Sequence, residues 1–297
     1  MVLNKENTVI GFVGTGVMGK SMAGHLLEAG YKVLVYNRTQ SRAEELLQMG
    51  AVWKETPGEV ARESRVIITM VGYPKDVEGV YFGGKGIIPS AQTGSYLIDM
   101  TTSTPSLAKR IYEEATVKDM FALDAPVSGG DVGAKEARLA IMVGGDPAAF
   151  AAVMPIFKVM GKNIVLQGPA GAGQHTKMCN QIAIASGMIG VCEAMAYAQK
   201  AGLDPSTVLQ SIETGAAASW SLSNLAPRMI AGNFDPGFYI KHFIKDMIIA
   251  LDSAKEMGLI TPGLELAKSL YDKLAAQGEE NRGTQALFKL YLEETLR

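Results

Sequence analysis

The sequence predicts two domains: an α/β domain with a doubly wound parallel sheet, followed by an all-α domain. Short apolar segments alternate with helix-like segments in the first half, whereas the second half has only helical spacing of its apolar residues. A glycine-rich turn at 168–173 separates the alternating pattern from the helical pattern. The 297 residues suit two domains of about 150 residues each. We place the boundary at 167/168, giving domains 1–167 and 168–297.

The predicted strands of the first domain are short apolar runs, each followed by a turn or a helix-like segment. They are Val9–Val13, Lys32–Tyr36, 66–70, Tyr96–Asp99 and Phe121–Asp124, with 140–143 and 164–166 as possible edge strands. Helix-like segments lie between them at 18–29, 42–49 and 106–115. This alternation is typical of a parallel sheet covered by helices on both faces.

Composition excludes several classes of protein. With 28 Lys and Arg against 30 Asp and Glu, the net charge of −2 leaves no basic excess for nucleic acid or an anionic membrane. Two cysteines and three scattered histidines fit neither a disulfide scaffold nor a metal site. No signal peptide precedes the first strand, and the uncharged helical segment 178–192 is shorter than the roughly 20 residues of a membrane span. We therefore expect a cytoplasmic protein without metal, nucleic-acid or membrane partners.

A glycine motif follows the first strand and opens the first helix. It reads Gly14-Thr15-Gly16-Val17-Met18-Gly19, a G-x-G-x-x-G pattern inside a βαβ unit, as in Rossmann-type dinucleotide-binding domains. Gly14 permits the tight turn, Gly16 lets the backbone approach a pyrophosphate, and Gly19 lets the helix pack close to the strand. The helix N-terminus adds free N–H groups and partial positive charge. These six residues are predicted to bind a dinucleotide; the alternative is a turn without a ligand.

The end of the second strand bears on the choice of cofactor. NAD enzymes usually carry Asp or Glu here to bind the ribose 2′-hydroxyl, but segment 36–42 contains no acid. Arg38 and Arg42 would attract a 2′-phosphate, and Asn37 and Thr39 add hydrogen-bonding capacity. The sequence thus predicts NADP (as NADPH) in preference to NAD. NAD remains the alternative if both arginines are only solvated surface charges.

Two further loops follow predicted strands, where doubly wound sheets bind ligands. Thr102 is placed either to touch a nicotinamide or a substrate, or to cap the next helix. Ser128, Gly129 and Gly130 offer a hydroxyl and consecutive N–H groups, which form a nest suited to a carboxylate. A plain flexible turn is the alternative, and spacing alone does not decide.

The long apolar helix of the second half begins with an unusual lysine. Lys177 shares a helix face with Asn180 and Gln181, at i,i+3 and i,i+4. A buried lysine readily exchanges its proton near neutral pH, whereas one at a helix end can instead extend into water. Farther along, Lys245 and Asp246 enter an amphipathic helix, where spacing alone favours a solvated charged pair.

Four motifs in this order resemble the β-hydroxyacid dehydrogenases, the group of 3-hydroxyisobutyrate dehydrogenase, tartronate semialdehyde reductase and the glyoxylate/succinic semialdehyde reductases. They are the cofactor loop 11–24, the substrate loop 124–130 continuing to 142–145, the catalytic segment 171–180, and Lys245-Asp246. The likeness covers essentially the whole chain. It implies C-terminal helices like those of 6-phosphogluconate dehydrogenase, a homodimer or homotetramer, and hydride transfer between NADP(H) and a short β-hydroxyacid, semialdehyde or keto acid.

The resemblance also implies residue roles. Lys177 would be the general acid in carbonyl reduction and the base in alcohol oxidation, with Asn180 orienting the substrate and the lysine. Ser128, Gly129 and Gly130 would hold the substrate carboxylate. The remaining expected contacts to substrate or cofactor are Thr102, Phe238, Val71 and Lys245, of which Lys245 would close over the nicotinamide end.

Two departures from the family pattern concern the pocket. Many relatives have a second asparagine where this chain has Gln181, and relatives often have glycine where this chain has Ala137.

Two other functions share the architecture. Imine reductases usually replace the lysine with another proton donor, so Lys177 argues against that activity. A non-catalytic dinucleotide-binding scaffold would have lost the lysine, which this chain retains.

Overall fold

The computed structural model describes residues 3–292. The chain divides into two compact units, Met1–Lys177 and Met178–Arg297, and the division falls inside a helix. The boundary at 167/168 expected from the sequence precedes that helix and stays a prediction.

One sheet forms the centre of the first unit. Its strands within residues 3–177 are β1 Val9–Val13, β2 Lys32–Tyr36, β3 Val52–Trp53, β4 Val66–Thr69, β5 Tyr96–Asp99, β6 Phe121–Asp124, β7 Val127–Ser128, β8 Leu139–Gly145 and β9 Gly161–Gly168. The order is β3-β2-β1-β4-β5-β6-β8-β7, with β9 paired to β8. Strands β1 to β6 are parallel, whereas β8 runs antiparallel to β6 and β7. The predicted doubly wound sheet is confirmed. The expected edge strands at 140–143 and 164–166 form as the longer β8 and β9, whereas the antiparallel pairing of β8 was not predicted.

Proline and capping side chains set the starts of several helices in this unit. The helices are α1 Val17–Glu28, α2 Glu44–Gln48, α3 Pro57–Arg62, α4 Pro74–Phe82, α5 Pro105–Val117, α6 Gly130–Lys135 and α7 Pro147–Met160. Thr56, Thr104 and Asp146 accept hydrogen bonds from backbone N–H groups of α3, α5 and α7, each directly before a proline. The predicted helix 42–49 is instead a 3₁₀ turn, Gln40–Ala43, followed by α2.

Helices cover both faces of the sheet. Ile10 and Phe12 of β1 belong to the core on one face, and Val13 belongs to the core on the other. Gly11 stands between Ile10 and Phe12 in β1, and a Cβ there would lie 2.4 Å from Cγ1 of Val60 in α3. The glycine therefore allows α3 to approach the central strand closely.

The second unit is helical. Its elements are the remainder of α8 (Ala172–Lys200), α9 Pro205–Ile212, α10 Trp220–Ile230, α11 Ile240–Glu256, α12 Pro262–Leu274, a π-helical segment Ala275–Glu279, a 3₁₀ helix Thr284–Phe288 and α13 Lys289–Leu292. Phe243 and Tyr271 pack edge to face in its core. This confirms the predicted all-α half.

Helix α8 is the longest element of the described chain. By length and composition it could cross a membrane, a test that the core helix of a soluble protein also passes. It carries both cysteines, of which Cys179 is exposed and Cys192 is buried. Burial raises the pKa of the Cys192 thiol.

Candidate active site

The glycine motif forms a tight loop between β1 and α1. Gly14 has φ 101°, and its N–H donates to the carbonyl of Tyr36 at the end of β2, at 2.8 Å. A Cβ on Gly19 would lie 1.9 Å from the Gly14 oxygen, whereas one on Gly16 would meet no atom within 4 Å. The loop is thus closed on its inner side and open at Gly16, the N-cap of α1.

These residues fit the pyrophosphate of a dinucleotide. The first turn of α1 has no acidic residue to oppose an anion at the helix N-terminus. Within residues 3–292, Thr15 Oγ1 is one of a few buried side-chain oxygens without a hydrogen-bond partner, and it lies in this loop. The open face at Gly16 is where a side chain would obstruct a phosphate.

Asn37 connects the end of β2 to the glycine loop. Its Oδ1 accepts from the N–H of Thr15 at 3.1 Å, and its Nδ2 donates to the carbonyl of Thr39 at 2.9 Å. These bonds show that Asn37 holds the loop, and its contact with the cofactor stays a prediction. Arg38 follows with its side chain 86% exposed, and its Nη1 lies 3.4 Å from Oδ1 of Asp76.

A buried carboxylate organises the loops after β4 and β5. Asp99 Oδ1 accepts from the Thr69 hydroxyl at 2.7 Å and from the N–H of Thr101 at 3.1 Å. The Thr101 hydroxyl in turn accepts from the N–H of Val71 at 3.0 Å. Burial raises the pKa of Asp99 to about 6, although the hydrogen bond from Thr69 acts in the opposite direction. Asp99 thereby fixes the backbone that carries Val71.

A second buried carboxylate, Asp124 at the end of β6, holds the start of α8. It accepts from the N–H groups of Gly171 at 2.7 Å and Gln174 at 2.8 Å. Burial raises its pKa, and the backbone hydrogen bonds from the helix start lower it. A Cβ on Gly173 would lie 2.4 Å from the carbonyl oxygen of Met142 in β8. The first turn of α8 therefore packs directly on the sheet.

Gln174 ties α8 to the loop after β5. Its Nε2 donates to the carbonyl of Thr101 at 2.8 Å, and its Oε1 accepts from the N–H of Ser103 at 3.0 Å. Thr104, not Thr102, caps α5. The capping alternative for Thr102 is therefore wrong, and Thr102 lies in the segment that Gln174 holds.

Lys177 is buried beside the predicted carboxylate nest. Only 7% of the residue is exposed, and its Nζ donates to the carbonyl of Val127 at 2.9 Å. Val127 directly precedes Ser128 in β7, and Gly129 and Gly130 follow with φ of 131° and 62°. The alternative of a lysine extending into water is wrong. An ammonium group, a hydroxyl and the N–H groups of two glycines are thus concentrated in one region.

The second unit has its own polar chain, in which Gln181 and Asp246 are buried and Asn180 and Lys245 are partly buried. Asn180 Nδ2 donates to Gln181 Oε1 at 2.8 Å, and Gln181 Nε2 donates to Asp246 Oδ2. Lys245 Nζ lies 2.7 Å from Asp246 Oδ1, with side-chain exposures of 12% and 2%. The expectation of a solvated charged pair is therefore wrong. Gln181, which stands where many relatives have asparagine, fits this chain because its amide bridges Asn180 and Asp246. Phe238 packs on Phe243 in the same unit.

Sequence reasoning missed Asp99, Asp124 and Gln174 as site-organising residues. Both acids are the last residues of buried strands, and an acid at the end of an apolar run was a usable signal. Gln174 had no comparable signal because its two partners are backbone groups more than 70 residues away.

Comparisons with known proteins agree with this architecture. The family model for the NAD binding domain of 6-phosphogluconate dehydrogenase matches residues 9–168. The model for the NAD-binding domain of NADP-dependent 3-hydroxyisobutyrate dehydrogenase matches residues 171–291. The fold and the glycine loop thus define an oxidoreductase that binds a nicotinamide dinucleotide.

The relatives narrow this class. The chain is 70% identical to the uncharacterized oxidoreductase YkwC of Bacillus subtilis, over 95% of this chain and 98% of the other. It is 41% identical to 2-hydroxy-3-oxopropionate reductase of Escherichia coli, over 94% and 95%. The structure of Mycobacterium tuberculosis 3-hydroxyisobutyrate dehydrogenase with L-serine matches with a TM-score of 0.88 at 30% identity, over 98% and 99%. The chain belongs to the β-hydroxyacid dehydrogenase family.

Imine reductases share the fold at greater distance. The enzyme from Pseudomonas sp. matches with a TM-score of 0.62 at 21% identity, covering 96% of this chain and 99% of that chain. At this identity the likeness concerns the fold alone.

Proposed function

We propose that the protein is an NADPH-dependent reductase of a short semialdehyde or keto acid, reversible to the hydroxy acid, with Lys177 as general acid and base. The observation that carries this proposal is the buried Lys177 ammonium, bonded to the carbonyl that precedes Ser128. The relatives named 2-hydroxy-3-oxopropionate reductase and 3-hydroxyisobutyrate dehydrogenase support the substrate class. A cytoplasmic homodimer or homotetramer is part of the same proposal.

In this mechanism the protein supplies position and a proton. The Ser128 hydroxyl and the N–H groups of Gly129 and Gly130 bind the substrate carboxylate, which directs the carbonyl toward Lys177. A nicotinamide dinucleotide held by the glycine loop would supply the hydride. As negative charge grows on the carbonyl oxygen, Lys177 Nζ donates its proton. Asn180, three residues later on the same helix face, orients the substrate.

Replacing the lysine tests the proposal. We expect Lys177→Ala to lower kcat by at least about a hundredfold, because a general acid typically contributes about 10²–10⁴-fold. NADPH should still bind, since the glycine loop is unchanged. The assay is NADPH oxidation with glyoxylate, succinic semialdehyde, tartronate semialdehyde and methylmalonate semialdehyde, and cyclic imines test the imine reductase alternative.

Two variants control this experiment. Lys177→Arg keeps a positive charge but cannot release a proton near neutral pH, so it should be as inactive as the alanine variant. Lys200→Ala removes an exposed lysine at the other end of α8 and should be fully active. Near-wild-type turnover of Lys177→Ala would exclude this lysine from the chemistry.

A further inference from the structure

His25, in the last turn of α1, contacts the end of α6. Its Nε2 lies 3.0 Å from the carbonyl oxygen of Ala134 and 3.1 Å from that of Lys135. Both carbonyls belong to the last turn of α6, where the regular helical hydrogen bonds run out. Because a carbonyl only accepts, Nε2 carries the proton and donates to this helix end.

The contact joins two helices that begin at the two candidate ligand sites. Helix α1 starts from Gly16 in the glycine loop, and α6 starts at Gly130 in the carboxylate nest. The residues in contact are 109 and 110 positions apart in the chain. His25 therefore links, at the far ends of both helices, the elements that would hold the cofactor and the substrate.

Helix α6 depends on such external contacts. It spans six residues, too few to be stable by itself, and only Gly133 and Ala134 are buried. Glycines with positive φ start it, and Ala137, with φ 50°, follows it in a left-handed conformation that alanine adopts at a cost. A helix this short, with a strained turn at Ala137 after it, needs an anchor to keep its start in place.

The ring of His25 faces acceptors on both nitrogens. Nδ1 lies 3.3 Å from Glu28 Oε2, while Nε2 faces the two carbonyls of α6. The anchor is therefore made by donation from the imidazole. A glutamine can supply an uncharged donor here, whereas an alanine supplies none.

We propose that His25 is a positioning residue for substrate binding. It holds α6, and through α6 the nest of Ser128, Gly129 and Gly130, at a fixed place relative to the glycine loop. The inference rests on the proposed function in one respect, that this nest binds the substrate carboxylate. A displaced nest would weaken carboxylate binding and leave the dinucleotide loop intact.

Hydrogen exchange tests the contact without any turnover. We expect His25→Ala to speed amide exchange in segment 127–138 by about tenfold, the effect of losing one hydrogen bond. Peptides from β1 and β2 should exchange as in the wild type. His25→Gln should restore most of the protection. Glu28→Gln, which alters the exposed partner of Nδ1 and leaves α6 untouched, should change nothing.

Kinetics test the consequence for substrate. In His25→Ala we expect KM for the carboxylate substrate to rise about tenfold, with kcat within about threefold and the Kd of NADPH within about twofold. His25→Gln should recover a KM near that of the wild type. A variant that had only lost overall stability would not show this split between KM and kcat.

The outcomes separate the two proposals. Unchanged exchange in His25→Ala overturns this inference, and so does faster exchange with an unchanged KM, because the contact then positions no substrate. If the wild type turns over no substrate of the panel, the proposed function fails. Exchange in segment 127–138 still decides then whether His25 anchors α6.

Discussion

Arg38 extends from the end of β2 with most of its side chain in solvent, and its guanidinium lies near the Asp76 carboxylate. A 2′-phosphate would carry more negative charge than this single acid and can form bidentate hydrogen bonds with the guanidinium. Arg42 lies one 3₁₀ turn further along. The proposed preference for NADPH therefore rests on these two arginines.

Removing both arginines should abolish that preference. We expect the wild type to bind NADPH at least about tenfold more tightly than NADH, a difference of about 1.4 kcal/mol. In the double variant Arg38→Ala/Arg42→Ala, the affinity for NADPH should fall to that for NADH. The affinity for NADH should change little. Fluorescence titration measures both constants. Arg62→Ala, at an exposed arginine ending α3, is the matched control, and equal wild-type affinities would contradict the assignment.

Among the elements, the first turn of α8 determines where Lys177 lies. Gly173→Ala places a Cβ against backbone oxygens of Met142 and Asp124, at 2.4 and 2.6 Å, which cannot turn away as side chains do. We expect a loss of about 1–3 kcal/mol in the free energy of unfolding and a lower kcat, because the helix start must shift. Urea unfolding and steady-state kinetics measure the two effects.

The control for this substitution is a glycine with space around it. Gly79, in α4, is exposed, and a Cβ there would meet no atom within 4 Å. Gly79→Ala should therefore stabilise α4 by about 0.5–1 kcal/mol and leave kcat unchanged. If both alanine variants behaved alike, close packing at Gly173 would not be what holds the helix start.

The strands and the glycine loop were predictable because their signals are local. An apolar run and a G-x-G-x-x-G spacing are complete within a few residues, and β1, β2, β5 and β6 were predicted with their observed bounds. The burial of Lys245 and the bridge through Gln181 were not predictable, because each depends on Asp246 being brought to α8 by tertiary packing. The same holds for His25, whose partners lie more than 100 residues away.

For the whole molecule, Asp99 makes stability depend on pH. Burial raises its pKa from 3.8 to about 6, so the folded protein binds this proton more tightly than the unfolded chain does. The contribution of Asp99 to the free energy of unfolding therefore falls as pH rises from about 4 to about 6, by an amount on the order of 2–3 kcal/mol, and stays lower above that range.

An asparagine at this position should remove that slope. In Asp99→Asn the amide oxygen can still accept from Thr69 and Thr101, but the side chain at position 99 no longer titrates. We expect the variant to gain stability relative to the wild type between pH 4 and pH 6.5, measured by urea unfolding at each pH. For Asp252→Asn, at an exposed acid in α11, the plot of the free energy of unfolding against pH should run parallel to that of the wild type. Parallel curves for Asp99→Asn would show that Asp99 does not cause the slope.

The two thiols on α8 differ in exposure, which should allow one of them to be labelled selectively with a fluorescent dye. Cys192 is buried and keeps its proton, whereas Cys179 is exposed. A maleimide dye should therefore attach at one place per chain, two residues beyond Lys177 and one before Asn180, without any engineered cysteine. Its emission would report ligand arrival in real time at the helix that carries both groups.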